Sequence, residues 1–193
     1  MWFIPTRGRP HNIKRLIAHS KPTCKALLIL DSDDFHHYMD ITLPMSWSFV
    51  VWKRDTVGNH LNRAFAEYPN EPYYALGADD ILPDLFYDLR LEALITPDDI
   101  IWPDDGLEGK CTHPVIGGNL VRKRGWIAYP NLKHFYIDTV WGDIAKEIGA
   151  TGLVNVALNH MHFSNGGAPM DKTYKERPSA AADKAIYDSY RMR

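Results

Sequence analysis

The run over 25–30, which is continuously apolar after Lys25, constrains the fold of this chain more than any other feature. It ends at Asp31–Asp34, where three of the four residues are aspartates. An unbroken apolar run of this length is typical of a strand that is buried on both faces of a parallel sheet. Apolar residues at strand or helix spacing flank the run, and we expect further elements at 2–4, 11–20, 47–52, 58–68 and 73–76. Strands that alternate with helices predict an α/β fold with a mostly parallel central sheet.

The pattern changes after Pro83. We expect a helix at 85–94, a strand at 100–102, a helix at 139–148 that ends at Gly149, a strand at 153–158, and a C-terminal helix with Ser179 as its N-cap. A length of 193 residues fits one domain of ordinary size. We therefore predict a single domain over 1–193.

The charge balance and the cysteine content argue against several classes of protein. A formal net charge of −2 disfavours loose, charge-driven binding to nucleic acid or to anionic membranes, although Arg122–Arg124 form one basic patch. Cys24 and Cys111 lie outside any CxxC or zinc spacing, so we expect reduced thiols. The chain shows neither a signal-peptide pattern nor an apolar stretch of membrane-spanning length. We expect a soluble, cytoplasmic protein without a membrane segment.

Polar residues collect where the predicted strands end. In open α/β sheets, ligands bind outside the carboxyl ends of the strands. Arginines there can take phosphate or base, and carboxylates can take ribose or base, so the set is suited to a nucleotide diphosphate. A solvated loop for the arginines and turn chemistry for the aspartates are the structural alternatives. The residues concerned are Thr6, Arg7, Arg9, Asp31, Asp33, Asp79, Asp80, His160 and His162.

The segment Tyr73–Pro83 brings two adjacent carboxylates, Asp79 and Asp80, to a strand end. Carboxylate oxygens suit Mg²⁺ or Mn²⁺, which proteins usually hold with one or two carboxylates together with substrate phosphates. His160 and His162 are predicted to share one face of a strand, and one of them would complete the metal shell. A solvated turn for the aspartates and a half-exposed strand for the histidines are the alternatives.

Asp138 stands immediately before the predicted 139–148 helix. There it can cap the free backbone N–H groups of the first turn. A carboxylate held in this way is also suited to act as a general base on an acceptor hydroxyl. The two roles can coexist in one residue.

Four segments, taken in order, resemble the GT-A nucleotide-sugar glycosyltransferases, especially the family-2-like inverting enzymes. They are Pro5–Pro10, Asp31–Asp33, the 58–64 helix with its Gly-Asn-x-x-Asn-Arg-Ala pattern, and Ala78–Asp80. The downstream part, with Thr112–Pro114, 134–141 and 160–162, looks like a compact group of such proteins that is frequent in phage and bacterial genomes. The resemblance covers most of the chain and implies a GT-A-like (Rossmann-like) three-layer sandwich. It implies a donor half at about 1–83, an acceptor and catalytic half at about 84–178, and a C-terminal helix at about 179–193.

The resemblance also implies roles for individual residues. Asp80 would bind the metal, with His162 or His160 beside it. Ala78 stands where the familiar Asp-x-Asp motif has its first carboxylate, so Asp79 would contact the ribose or support the metal. Asp138 would be the catalytic base, although the usual Glu-Asp pair is Ile-Asp in this chain. The residues implied for the donor nucleotide are Pro5, Thr6, Arg7, Arg9, Asp31, Asp33, Asn62, Arg63 and Asp79.

The implied reaction moves a sugar from a nucleotide-diphosphate sugar to an acceptor hydroxyl, with inversion and with Mn²⁺ or Mg²⁺ as cofactor. The segment Ser164–Pro169, followed by Lys172 and Lys175, is expected to close over the donor phosphates. The acceptor stays open between a hydroxylated DNA base, a glycan, a protein and a small molecule, and the protein is expected to be a monomer or a homodimer.

Two other functions compete with this interpretation. A nucleotidyltransferase of sugar phosphates would share the sheet and the carboxylate pair, but it needs a glycine-rich loop after the first strand, and Arg7–Pro10 holds one glycine. A non-catalytic module that binds nucleotide-sugar or glycan is the other alternative.

Overall fold

The computed structural model describes residues 1–106, 109–163 and 166–192. The strands in these ranges are β1 Trp2–Thr6, β2 Ala26–Asp31, β3 Trp47–Trp52, β4 Tyr73–Leu76, β5 Ile81–Pro83, β6 Ile100–Asp104, β7 Val115–Gly117 and β8 Gly152–His160. The helices are α1 Pro10–Ser20, α2 Val57–Glu67, α3 Tyr87–Glu92, α4 Gly118–Arg124, α5 Ile137–Ile148, α6 Lys172–Glu176 and α7 Ala180–Arg191, and a 3₁₀ helix spans Phe35–Tyr38. No helix in the described ranges is both long and apolar enough to cross a membrane.

The strands form one mixed sheet with the order β3-β2-β1-β4-β7-β6-β8-β5. The first half is parallel: β1 pairs with β2 and β4, and β2 pairs with β3. In the second half β7 runs antiparallel to β4 and β6, β8 is parallel to β6, and β5 is antiparallel to β8. The predicted α/β class with a predominantly parallel sheet is confirmed.

Helices cover both faces of the sheet, because successive residues of a strand point to opposite sides. Phe3, Leu27 and Ile29 belong to a core that includes side chains of α2 and α5. Ile4 and Leu28 belong to a second core, formed with α1 and α3. All six residues of β2 are buried, which explains why its sequence is apolar without interruption from Ala26 to Leu30.

Asp138 is not the N-cap residue that was predicted, although its side chain does accept a hydrogen bond from a first-turn N–H group, that of Thr139. Helix α5 begins at Ile137, so Asp138 is its second residue, and Tyr136 precedes the helix with a left-handed φ of 65°. Ile137 and Val140 are both buried on the core side of α5, and this apolar face begins the helix two residues before the predicted start at 139. The other two terminal signals are confirmed: Gly149 ends α5 with φ 65°, and the Ser179 side chain accepts a hydrogen bond from the first turn of α7.

One strand prediction also needs correction. Strand β8 ends at His160, so His162 lies beyond it, and the two imidazoles do not share a strand face as predicted. Their ring centroids are nevertheless 5.3 Å apart. The predicted strand at 73–76 is confirmed as β4, and Asp79 and Asp80 lie in the turn that follows it, before the short strand β5.

Candidate functional site

A cavity of about 780 Å³ opens at the carboxyl ends of β1, β2 and β4. The chain runs from β1 outward to β2 and β3, and then returns to β4 on the other side of β1, so the strand order reverses between β1 and β4. Such a reversal leaves a crevice at the carboxyl ends of the strands, where open α/β sheets bind their ligands. The volume is in the range of small-molecule sites.

Most of the residues selected from the sequence meet in this cavity. Those that line it are Pro5, Thr6, Arg7, Arg9, Asp31, Asp79, Asp80, Asp138, His160 and His162. Among the described residues, Asp33, Asn62 and Arg63 are absent from the lining. The candidate base on α5 and the carboxylates after β4 therefore face the same space.

Arg7 and Asp31 form one wall of the cavity through an ion pair of 2.9 Å. The Arg7 guanidinium also makes two hydrogen bonds, of 2.6 and 2.8 Å, to the half-exposed carboxylate of Asp33. The second oxygen of Asp31 lies 2.8 Å from Nε2 of the buried His60. Both Asp31 oxygens are thus engaged by protein groups, and His60 joins the cavity lining from α2.

Asn62 and Arg63 have other partners. The Asn62 side-chain oxygen accepts hydrogen bonds from the backbone N–H groups of Ile127 and Ala128, and its amide group donates to the carbonyl of Ala128. Arg63 lies over the ring of Trp52 at 4.3 Å and pairs with Glu67 one turn along α2. Asn62 therefore fixes the 127–128 segment, and Arg63 lies on the outside of the helix.

Arg9 is buried in the floor of the site, with 4% of its surface exposed. Its guanidinium forms a two-point ion pair with Asp171 at 2.7 and 2.9 Å and donates to Asp79 at 3.1 Å. The ring of Tyr174 lies 3.9 Å from the guanidinium carbon. A buried arginine needs such partners, because an unpaired buried charge is very costly. The alternative of a solvated loop does not hold for Arg9.

Asp79 and Asp80 differ in their surroundings and so in their proton affinity. Burial and the charge of Asp80 raise the pKa of Asp79 to about 6, against the opposing effects of Arg9 and Thr6. Thr6 donates a 2.6 Å hydrogen bond to Asp79. Burial, the largest single effect, acts to raise the pKa of Asp80 as well, but His160, His113 and the Tyr174 hydroxyl together outweigh it and hold that pKa below its usual range. Asp80 is therefore the carboxylate of the pair that stays ionised.

His160 lies between two carboxylates. Its Nε2 atom is 3.6 Å from Oδ1 of Asp80, and its Nδ1 atom is 3.9 Å from Oδ2 of Asp105. Burial lowers the pKa of His160, but these carboxylates raise it by more. His113 contacts the His160 ring edge-on at 4.9 Å, and burial lowers the pKa of His113 to about 4. His160 is thus biased towards its charged form, and His113 towards its neutral form.

Asp80 and His160 are the residues that could hold a divalent cation in this cavity. Among the described residues, six carboxylates and four arginines line the cavity, which leaves an acidic excess. Asp80 and His160 are near enough to each other to share an ion. Within the described ranges, however, no three His, Cys, Asp or Glu residues converge as a metal site requires. This set suits an ion such as Mg²⁺ or Mn²⁺ that takes one or two protein ligands and completes its shell with phosphate and water.

Asp138 presents a carboxylate to the cavity from the first turn of α5. Its Oδ1 atom accepts hydrogen bonds from the N–H group of Thr139 at 2.7 Å and from the Thr139 hydroxyl at 3.3 Å. Burial raises the pKa of Asp138 in spite of these bonds. A carboxylate with a raised pKa is a better proton acceptor near neutral pH, as a general base has to be.

The C-terminal segment closes one side of the cavity, and sequence reasoning largely missed it. The Thr173 hydroxyl donates to the carbonyl of Arg7 at 2.8 Å, and Glu176 pairs with Arg54 at 3.1 Å. Arg177 also lines the cavity. Lys172 and Lys175, expected to reach the phosphates, are exposed, and Lys172 pairs with Glu176 at 3.6 Å. Of the predicted closing segment Ser164–Pro169, residues 164 and 165 lie outside the described ranges.

No protein-family model and no curated protein matches this chain.

Proposed function

We propose that this protein is a metal-dependent, inverting glycosyltransferase of the GT-A type that uses a nucleotide-diphosphate sugar as donor. The observation that carries the proposal is the cavity at the reversal of the strand order, which is lined by the β1 loop, the Asp79-Asp80 turn, Asp138 and His160. This combination supplies cations, an ionised carboxylate next to an imidazole, and a proton acceptor in one space. These are the groups that the transfer of a sugar from a diphosphate needs.

The donor end of the cavity is the side of β1 and β2. Arg7 keeps its planar guanidinium fixed by Asp31 and Asp33, so it can stack against or donate to a nucleotide at small entropic cost. Asp31 and Asp33 act through Arg7 and His60 in this proposal, because Asp31 has both oxygens engaged. The resemblance had instead implied that Asp31 itself contacts the donor nucleotide.

Asp80 and His160 would hold the divalent ion, and a bound ion supplies neutralisation of the charge that develops on the diphosphate leaving group. Asp79, which accepts hydrogen bonds from Arg9 and Thr6, would support this arrangement from beside Asp80. Asp138 lies on the α5 side of the cavity, where it would accept the proton of the acceptor hydroxyl as that oxygen attacks the anomeric carbon. One displacement inverts the configuration at that carbon.

The deciding experiment measures binding of UDP-, GDP-, dTDP-, CDP- and ADP-sugars by calorimetry, with and without Mn²⁺, to the wild type and to Asp80→Ala. We expect one donor to bind, and its affinity to require both Mn²⁺ and Asp80. Product analysis with that donor then tests transfer and the anomeric configuration. Donor binding without any transfer or hydrolysis, unchanged in Asp138→Asn, would favour the non-catalytic binding module. No binding by any donor would remove the support for the transferase.

A further inference from the structure

The arginines that line the cavity differ in their partners. Among the described residues there are four of them, and three have carboxylate partners. These pairs are Arg7 with Asp31 and Asp33, Arg9 with Asp79 and Asp171, and Arg54 with Glu176. For the fourth, Arg177, the described part of the chain contains no carboxylate within 4.0 Å of the guanidinium. Within the described ranges, its N–H donors are therefore not engaged by a carboxylate.

Aromatic rings hold Arg177 in place instead. Its guanidinium carbon lies 5.0 Å from the ring centre of Phe135, 5.2 Å from that of Phe163 and 6.0 Å from that of Tyr174. Contacts with ring faces orient a guanidinium and leave its in-plane donors for another partner. The side chain is half-buried, so its charge is only partly screened by solvent. This is a preorganised cation that faces the cavity.

Two imidazoles accompany Arg177. The His134 ring contacts Phe135 at 4.9 Å, and the His162 ring contacts Phe163 at 4.4 Å, so each histidine packs on one of the two phenylalanines that flank the arginine. Both histidines line the same cavity. The three groups come from three separate segments of the chain.

We infer that Arg177, with His134 and His162, forms a phosphate-binding site that receives the diphosphate of the ligand in this cavity. A guanidinium fork matches two oxygens of a phosphate, and an imidazole N–H group can donate a further hydrogen bond. The site lies beside Tyr174, which is bonded to Asp80, so a diphosphate held by Arg177 would also be within reach of an ion on Asp80. The assignment to a diphosphate of a nucleotide-sugar rests on the proposed function, whereas the anion site itself does not.

The test uses sodium pyrophosphate as the probe, with EDTA present so that no metal contributes. Calorimetry at low ionic strength should detect binding to the wild type, and Arg177→Gln should weaken it by about 10- to 100-fold, as expected for the loss of a charge-assisted two-point contact. Arg177→Lys keeps the charge without the fork and should lie between them. Arg63→Gln is the matched control, because Arg63 also lies over an aromatic ring but outside the cavity, and it should bind as the wild type does.

Two results would overturn the inference: a wild type that does not bind pyrophosphate at millimolar concentration, or an Arg177→Gln variant that binds it equally well. Circular dichroism melting checks that the variants are folded, and Arg177→Lys carries the test if the glutamine variant is not. Pyrophosphate binding that depends on Arg177, without binding of any nucleotide-sugar, would retain the anion site and reject the transferase. Sugar transfer with unchanged kcat and KM in Arg177→Gln would reject the anion site and retain the transferase.

Discussion

The hydroxyl of Tyr174 donates a 2.8 Å hydrogen bond to Oδ2 of Asp80, across 94 residues of chain. The other oxygen of Asp80 lies near His160. The phenol thus fixes the orientation of the carboxylate that the proposed function assigns to the metal, in the way that outer-shell hydrogen bonds orient metal ligands elsewhere.

Tyr174→Phe should therefore weaken Mn²⁺ binding by roughly tenfold, because the Asp80 carboxylate loses the group that orients it. Calorimetric titration with Mn²⁺ in the presence of the donor measures this. Tyr187→Phe is the control, since it removes a comparable bond to Asp143 on the α7 side of the molecule and should leave Mn²⁺ affinity unchanged. Equal or tighter Mn²⁺ binding by the Tyr174 variant would contradict the outer-shell role.

Asp138→Asn should reduce sugar transfer by about 10²- to 10⁴-fold, the usual contribution of a general base, and leave the donor dissociation constant unchanged. The asparagine keeps the shape of the side chain and can still accept hydrogen bonds from Thr139. Asp143→Asn serves as the control from the same helix, because Asp143 pairs with Tyr187 instead of facing the cavity. Transfer retained by Asp138→Asn would show that another group removes the proton.

The raised pKa of Asp79 predicts a pH-dependent stability. The folded protein binds this proton more tightly than the unfolded chain does, with a pKa of about 6 against 3.8, so the stabilising contribution is complete below pH 3.8 and is lost as the pH rises through about 6. Asp79→Asn has no proton to lose. The free energy of unfolding of the wild type minus that of Asp79→Asn should fall by about 1–3 kcal/mol between pH 4 and pH 7.

Urea unfolding of both proteins at several pH values measures this difference. Asp33→Asn is an informative comparison, because the hydrogen bonds from Arg7 lower the pKa of the half-exposed Asp33. The contribution of Asp33 to stability has the opposite pH dependence. It is present above pH 3.8 and is lost as the pH falls below that value. A constant difference between wild type and Asp79→Asn across the range would show that Asp79 is ionised throughout.

Asn62→Ala should destabilise the fold without changing donor affinity. The substitution removes the partner of two backbone N–H groups and one carbonyl at 127–128, at a cost of about 2–4 kcal/mol, and it should lower Tm by roughly 5–15 °C for a domain of this size. Thermal unfolding and donor calorimetry at 15 °C separate the two effects. A selective loss of donor affinity with unchanged Tm would instead assign Asn62 to the nucleotide.

The sequence was sufficient to predict the strand ends, because a strand and the loop after it are encoded by neighbouring residues. Thr6, Asp31 and Asp80 were selected on this ground, and all three line the cavity. The sequence did not indicate a role for His60, because a histidine on the apolar face of α2 is typical of the core. Its role becomes visible only when the fold places Asp31 opposite it. The same limit applies to Asn62, whose partners lie 65 and 66 positions away.

The C-terminal wall of the site was harder to predict for a different reason. Helix α6 has five residues, which is too short for a hydrophobic period to be recognised. Its partners in the β1–α1 loop are more than 160 positions distant: Asp171 pairs with Arg9, and Thr173 bonds to Arg7. Short elements placed by distant ion pairs leave no local pattern in the sequence, and Tyr174 and Arg177 were missed with them.

The contact between the β1–α1 loop and the 171–177 segment also governs the order in which the site can form during synthesis. The Arg9 guanidinium leaves the ribosome 162 residues before its partner Asp171. Until Asp171 follows, the arginine has to rely on Asp79 and Asp80 or remain hydrated. Nascent chains that stop before Asp171 should therefore hold an open, water-filled crevice, and the complete ligand cavity belongs only to chains that include the 171–177 segment.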